Sequence, residues 1–557
     1  MYLSRHLAVL DTFSKKTPSD LIVPTELGPV LGQLHPKYLT RSFLGIPYAD
    51  PPIGPRRFSS PQPYSTPWGE VDPITNVSRG IPRPSIHPPP ACPQYGVEFS
   101  REDCLYLNIH TPPTSSKTSS PLPVLVWIHG GAFYVGSGYQ DGYYDGNRLA
   151  KHANVIVISL NYRLGVLGFF RAKSEKGISN AGLADQRMAL EWIKRNIRYF
   201  GGDPGKITLW GESAGATSVL AHLSSPSFPR DLVAGVIAQS PPLGAYIRTE
   251  SEALEVGATF AKNVSCLIEQ NGSISSEDQV DLECLRALSL SRLMLAQRYT
   301  ETGGTDHHPL GDVYWWWPSE DGDLVREPLQ TLASGKAHPI PLILGVNRDE
   351  TGLFALRYDL PIASSLLGLR KRFNEDAYRR EIIRIFGKAS SKVLSTYPSN
   401  PDRTENERTI VDLTTDYLFR CPILKAAKGH QYAAGPGKDG TSQSWVYQFT
   451  QIPSYAGFVG KCGDEYVCHA LELPYLWRPA VPILLPEEMH LSKRMIKHWS
   501  HFALESEAAW QGYWGRSKAE SGLGGWLELG DRIRVHTDHG PHGDHCHLWN
   551  DDLGYQW

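Results

Sequence analysis

The sequence predicts an α/β fold: a central, mostly parallel sheet with helices on both faces. Three observations carry that expectation: short β-branched apolar runs of strand length, helix-spaced stretches alternating with them, and glycine turns where the runs stop. The first run, Val124-Leu-Val-Trp-Ile128, ends at His129-Gly130-Gly131 and reads as a buried strand entering a tight turn. The second, Val155-Ile-Val-Ile158, leads to Asn161-Tyr-Arg-Leu-Gly165, and from Asp185 to Phe200 the apolar residues Met188, Trp192, Ile193 and Ile197 recur at helical spacing. A third run, Ile207-Thr-Leu-Trp210, enters Gly211-Glu-Ser-Ala-Gly215, after which the chain to Leu223 continues as a helix. Val233 to Ala238 and Pro341 to Val346 are further strand candidates. The Pro- and Gly-rich region from Val23 to Thr111 fits short strands and turns, and Ala433 to Gln443 fits a surface loop rather than a boundary. No internal repeat or long linker divides the chain. Residues 1–557 therefore read as one domain, with about 1–22 as an N-terminal extension.

Composition narrows the function. Hydrophobic residues make up 41% and charged residues 20%, the balance of a chain that buries a core. Lys and Arg total 55 against 58 Asp and Glu, a net charge of −3 with no basic block, which argues against a nucleic-acid partner. No stretch approaches the ~20 apolar residues of a membrane span. The N-terminal cluster Leu7 to Leu10 is too short and polar-flanked for a secretory h-region, so no signal peptide is visible. Against that stand eight cysteines and three glycosylation sequons starting at Asn76, Asn263 and Asn271, which favour an oxidising compartment and secretion.

The chemistry centres on Gly211-Glu212-Ser213-Ala214-Gly215. A serine hydroxyl is a weak nucleophile until it is exposed, given a base and faced with donors for the developing oxyanion. In a G-x-S-x-G turn between strand and helix, the glycines permit a sharp elbow that lifts the serine to the tip of the sheet. The amide of the next residue, here Ala214, then faces the oxyanion. His129-Gly130-Gly131-Ala132 follows a strong strand upstream, where this architecture draws its remaining oxyanion amides, from Gly130, Gly131 and Ala132. Two motifs in the right order point to an α/β-hydrolase fold with Ser213 as nucleophile.

With these residues the sequence resembles the type-B carboxylesterase family, which contains cholinesterases, fungal lipases and liver carboxylesterases. The resemblance runs from about Gly28 to Asn550. It is carried by Phe43-Leu-Gly-Ile-Pro-Tyr-Ala49, Glu102-Asp-Cys-Leu-Tyr-Leu-Asn108, Asn161-Tyr-Arg163, Phe200-Gly-Gly-Asp-Pro204 and Gly211 to Gly215. It implies that the acidic partner is Glu350 in Gly345-Val-Asn-Arg-Asp-Glu350, with Asp349 a nearby decoy. The base is His469 in Cys468-His-Ala-Leu-Glu-Leu-Pro474. His469 would take the Ser213 proton and return it to the leaving alcohol, while Glu350 orients the ring. Glu212 and Ser240 are implied as supporting groups behind the triad, or as satisfied structural polar residues. The chain departs from the family where His-Gly-Gly-Gly becomes His-Gly-Gly-Ala, so Ala132 must supply an amide in a position usually held by glycine.

The resemblance also implies disulfides Cys92–Cys104, Cys266–Cys284 and Cys421–Cys546. Cys462 and Cys468, just before His469, are either a fourth bridge or two free thiols. His536, His539, His542, His545, Cys546 and His547 cluster near the C-terminus, but their spacing matches no closed zinc pattern, so neither metal nor cofactor is assigned. The expected partner is a small-molecule ester. A lipase or an acyltransferase on the same fold stays open, and so does an adhesion-type binding protein, although such proteins have lost the nucleophile. Trp315 to Trp317 and Tyr246 are candidate pocket aromatics. Only eleven residues lie between Cys92 and Cys104, with Tyr95 and Phe99 but no Trp. In the family's lipases the corresponding loop is a long lid, and in cholinesterases it carries a choline-binding Trp. Dissolved short to medium acyl esters are therefore the expected substrates.

Overall fold

The computed structural model describes residues 19–554 except 72–77, 98–99, 114–119, 174–178, 269–275, 277, 303–315, 356–373, 433–443, 456–461, 479–483, 507–525 and 537–540. Most of the N-terminal extension, the 433–443 loop and the sequons at Asn76 and Asn271 lie outside the described residues. An eleven-stranded sheet organises the chain. Its strands are β1 (Gln33–Leu34), β2 (Arg41–Pro47), β3 (Tyr106–Thr111), β4 (Leu122–Ile128), β5 (Ile156–Leu160), β6 (Gly202–Glu212), β7 (Gly235–Gln239), β8 (Leu342–Asn347), β9 (Ser444–Phe449), β10 (Trp526–Leu529) and β11 (Ile533–His536). Their spatial order is β1-β2-β3-β5-β4-β6-β7-β8-β9-β10-β11, parallel from β5 to β10 and antiparallel at both edges. Every residue of β5, β7 and β8 is buried, so the middle of the sheet is covered on both faces, as continuous apolar runs require.

The covering helices include α1 (Ala181–Asn196), α2 (Ala214–Ser224), α3 (Glu250–Asn263), α4 (Cys421–Tyr432) and α5 (Pro486–Glu505). Helix α2 is buried along its whole length, whereas α3 is half-exposed and starts in a capping box between Thr249 and Glu252. Between the layers Trp127, Trp210 and Trp477 pack with ring centroids 4.6 to 5.2 Å apart, and Trp499 of α5 donates to Gln239 at the end of β7. Arg163 of the Asn161-Tyr-Arg163 stretch forms a buried ion pair with Asp185, tying the end of β5 to α1. All eight cysteines are bonded, as Cys92–Cys104, Cys266–Cys284, Cys421–Cys546 and Cys462–Cys468. The described residues contain no helix long and apolar enough to cross a membrane.

Candidate active site

Strand β6 ends at Glu212 and α2 begins at Ala214. The serine between them sits at φ 57°, ψ −123°, a region that costs a residue with a Cβ about 1–3 kcal/mol and persists only where the surroundings enforce it. They do so here. A Cβ on Gly211 would lie 2.5 Å from the Gly215 carbonyl, and one on Gly215 would lie 2.1 Å from Ile128 O, so strand, turn and helix approach too closely for any other residue. The Ser213 amide donates to Gln239 O on the neighbouring strand at 2.9 Å. Ser213 keeps partial exposure while Glu212 and Ala214 are buried.

The C-terminal ends of β6, β7 and β8 lie side by side, and the other candidate residues gather there. Glu350 follows β8 by three residues and is fully buried. Its Oε1 accepts the Asn347 amide at 2.6 Å, and its Oε2 lies 2.6 Å from His469 Nδ1. His469 Nε2 lies 3.0 Å from Glu212 Oε1, so the imidazole stands between two carboxylates. Burial by itself would lower the His469 pKa, but the charges of Glu212 and Glu350 outweigh it and hold the ring well above its ordinary value. Asp349 has a different task. It accepts the Val467 amide at 2.7 Å and pairs with Arg348, fastening the loop that carries His469. Ser240 is buried at φ 50°, and its amide donates to Gly345 O across β7 and β8; its hydroxyl makes no hydrogen bond among the described residues.

Glu472, three residues after His469, received no role from the sequence. It is fully buried, accepting from Gln239 Nε2 at 2.8 Å and Asn347 Nδ2 at 2.7 Å, and so joins the ends of β7 and β8 to the histidine loop. Burial first, then the nearby charges of Glu212 and Glu350, push its carboxyl up to about 8. Its signal was present inside the family-like stretch, but a buried acid with two amide partners from distant strands is a tertiary fact.

The turn after β4 supplies the remaining amides. Gly131, Ala132 and Phe133 run at φ 107°, 55° and 63°, so Ala132 adopts the left-handed conformation despite its Cβ. Gly130 packs against the elbow so tightly that a Cβ there would come 3.1 Å from the Ser213 Cβ. The amides of Gly131, Ala132 and Ala214 donate to no acceptor among the described residues. Beneath them His129 stacks on Tyr162 at 4.5 Å, and its burial lowers its pKa to about 4, keeping it neutral.

A family model described as "Carboxylesterase family" matches residues 19–547. The chain belongs to the carboxylesterase family. It is 34% identical to the cAMP-regulated D2 protein of Dictyostelium discoideum over 83% of this chain and 79% of that one. With the liver carboxylesterase of Sus scrofa it shares 30% identity over 98% of this chain and 95% of the relative. A solved PNB esterase superposes with a TM-score of 0.72 at 27% identity, covering 94% of this chain and 99% of that structure. The protein is a carboxylic ester hydrolase of the α/β-hydrolase fold.

The other candidates in this carboxylesterase have separate surroundings. Trp316 is core, edge-on to Phe260 at 5.4 Å. Trp317 packs against the glycine turn, donating to Ala132 O at 3.1 Å, and Trp315 lies outside the described residues. Tyr246 is exposed and donates to Glu252 Oε2 at 2.7 Å. Of the C-terminal histidines, His542 and His545 converge on the buried Asp416, with ligating atoms all within 4.8 Å of one another. The position of a cation there is already taken: Arg420 pairs with Asp416, and its Nη1 lies 3.1 Å from His542 Nδ1. His539 lies outside the described residues.

Proposed function

We propose that Ser213 is the nucleophile of this esterase, His469 its general base and acid, and Glu350 the group that orients the imidazole. The amides of Gly130, Gly131, Ala132 and Ala214 serve the oxyanion, and Glu212 and Ser240 support the site. The observation that carries this reading is the strained Ser213 conformation, enforced by glycines that admit no Cβ, at the same C-terminal end of the central strands as the 2.6 Å Glu350–His469 contact. His469 removes the Ser213 proton as the oxygen attacks the ester carbonyl. Charge builds on the carbonyl oxygen, the protonated ring returns its proton to the leaving alcohol, and water then repeats the sequence on the acyl-enzyme. The domain is one catalytic unit, reached by small dissolved esters. A fluorophosphonate is expected to label Ser213 alone; labelling of another serine overturns the assignment.

For substrate class, the support is the short segment between Cys92 and Cys104. Gln94 fastens it to the glycine turn through two bonds with Gly136, each 2.8 Å, and a cleft of about 650 Å³ opens beside it, lined by Pro88 to Pro90, Tyr95, Val97 and Val135. A segment pinned by a disulfide and these bonds does not swing as a lid. Phe99 lies outside the described residues. Tyr95 is exposed and no Trp stands in the segment, so a choline cation gains little there. Rates on tributyrin and triolein across their solubility limits, beside butyrylthiocholine, test this. A jump on emulsified triolein or a strong thiocholine preference overturns it. Secretion with glycosylation fits the four disulfides and Asn263, exposed at the end of α3. Peptide mapping after deglycosylation checks that residue.

A further inference from the structure

Helix α5 buries Leu491, Met495, Ile496, Trp499 and Phe502, and at the helical period its outer face is left to His490, Lys493, Arg494, Lys497 and His501. All five are basic. The acids of the helix stand at its ends, Glu487 and Glu488 in the first turn and Glu505 in the last position, and Glu488 is already bonded to Ser454 and Tyr475. Between those ends the basic stripe runs for about 17 Å without a carboxylate.

The charge continues beside the helix. Helix α5 packs on the short helix Asn147–Ala153, which exposes Lys151 and His152 and half-exposes Arg148. Arg478 reaches the start of α5, donating to Met489 O at 3.1 Å. Burial first, then the charges of Arg148, Arg478, Lys151 and Lys493, hold the His152 pKa below its ordinary value, so cations from three elements act on one ring. Among the described residues none of Arg148, Lys151, Arg478, Lys493, Arg494 and Lys497 forms an ion pair, and the buried Nε of Arg148 meets no acceptor. Elsewhere Arg195, Arg286, Arg379 and Arg384 each pair with a glutamate. Like charges three and four apart on a helix repel, so in a chain of net charge −3 folding alone gives no reason to gather them here.

We propose that this face, the outer stripe of α5 with Arg148 and Lys151 beside it, is a docking surface for a linear acidic polysaccharide, a chain of sugars bearing carboxylate or sulfate groups. Charge complementarity calls for a polyanion, and two observations select this one. The exposed leucines Leu39, Leu485 and Leu504 are single residues, one in the 35–39 turn and two at the ends of α5, and offer a bilayer no continuous apolar face. The four disulfides favour an oxidising compartment, the setting of acidic polysaccharides rather than of nucleic acids. That choice rests on the secretion reading. Ser213, Glu350 and His469 contribute nothing to the face, so ester turnover does not depend on it.

The test measures binding of the full chain to heparin and to polygalacturonate at an ionic strength of about 0.15 M. Beside it stand Lys493→Glu/Arg494→Glu/Lys497→Glu and a control of equal charge change at exposed lysines elsewhere, Lys336→Glu/Lys388→Glu/Lys428→Glu. The stripe variant is expected to lose affinity for the bound polymer by roughly 10-fold or more and the control by less than about twofold, both keeping the parent kcat on a p-nitrophenyl ester. Lys151→Glu on the neighbouring helix should weaken binding about threefold, which keeps the test decisive if the triple variant folds poorly. A parent chain that binds neither polymer overturns the inference, as do equal losses in stripe and control variants. Tighter binding, at equal anionic charge, to duplex DNA or to equimolar phosphatidylserine–phosphatidylcholine vesicles than to both polymers overturns it too. Glycan mapping at Asn263 tests secretion separately, so the two readings can fail apart.

Discussion

Two clusters in this esterase join buried carboxylates to histidines and end in opposite chemistry. Around His469 the acids are Glu350 at 2.6 Å, Glu212 at 3.0 Å and, one layer back, Glu472, and the imidazole between the first two answers their charge. Around His542 and His545 the acid is Asp416, and the fully buried guanidinium of Arg420 answers it. Tyr397 Oη donates to the same carboxylate at 2.8 Å, and burial, which alone would raise the Asp416 pKa, is outweighed by Arg420 and the two histidines, so the group stays ionised. A carboxylate with a permanent counter-charge has no reason to exchange protons. One whose counter-charge is a titratable ring does, and the ring becomes a base poised by its neighbours. What separates the clusters is the identity of the cation and the burial of the ring: His469 is enclosed, whereas His542 and His545 reach solvent.

The largest contrast should come from removing the key group of each. Ser213→Ala is expected to lower kcat by about 10⁴-fold or more, with a thermal midpoint unchanged or higher because the strained serine is gone; full activity in an ester assay would break the comparison at its root. Arg420→Ala should do the reverse. It leaves Asp416 buried without its partner, at a cost of about 3–5 kcal/mol in denaturant unfolding, while the folded fraction keeps its kcat within a few-fold.

Next in size is Glu472. Its folded pKa of about 8 lies above the ordinary 4.5, so the folded state holds a proton that the unfolded chain has released, and stability falls as pH rises between those values. Glu472→Gln should remove that decline, measured as unfolding midpoints from pH 5 to 9. A smaller effect belongs to Glu212. Glu212→Gln deletes one of the two charges holding the His469 pKa up, so the acid limb of the kcat/KM profile should move to lower pH; a limb that stays put means that another group titrates there. The smallest belongs to His545, half-exposed and raised above 6.5 by its bond to Asp416. Its contribution is present below the unfolded pKa and lost as pH rises through the folded one, so His545→Ala should lower the midpoint slightly at pH 5 and not at pH 9.

The middle of the sheet was legible because β4, β5, β7, β8 and the Ile207–Trp210 part of β6 are mostly apolar runs stopped near a glycine, asparagine or glutamine, and burial on both faces writes that pattern into the chain. The edge was less so. Strands β9 and β10 include Gln448 and Glu528, and β10 has only four residues, too few for a periodicity to show. At the site, the elbow around Ser213 and the glycine turn at Gly130 are local and were read from local residues. Glu350 and His469 are 119 positions apart and were reachable only through resemblance. Trp317 was singled out, but as a pocket aromatic, because sequence cannot say that its N–H would find a carbonyl 185 positions away. Asp416 escaped for the same reason: its histidine partners follow it by more than 120 residues, across a disulfide whose closure brings them together.

The ring closed by Cys462 and Cys468 ends on the residue before His469. Asn347 Nδ2 donates to Cys468 O at 2.8 Å, and a Cβ at Gly352 would come 2.9 Å from the Cys468 sulfur, so the acid-bearing loop is shaped around the bridge. The bridge thus works as a short tether: with its ends 6 positions apart it limits the distance by which the histidine can drift from its acid, and adds a covalent limit to what the bonds of Asn347 and Asp349 already impose.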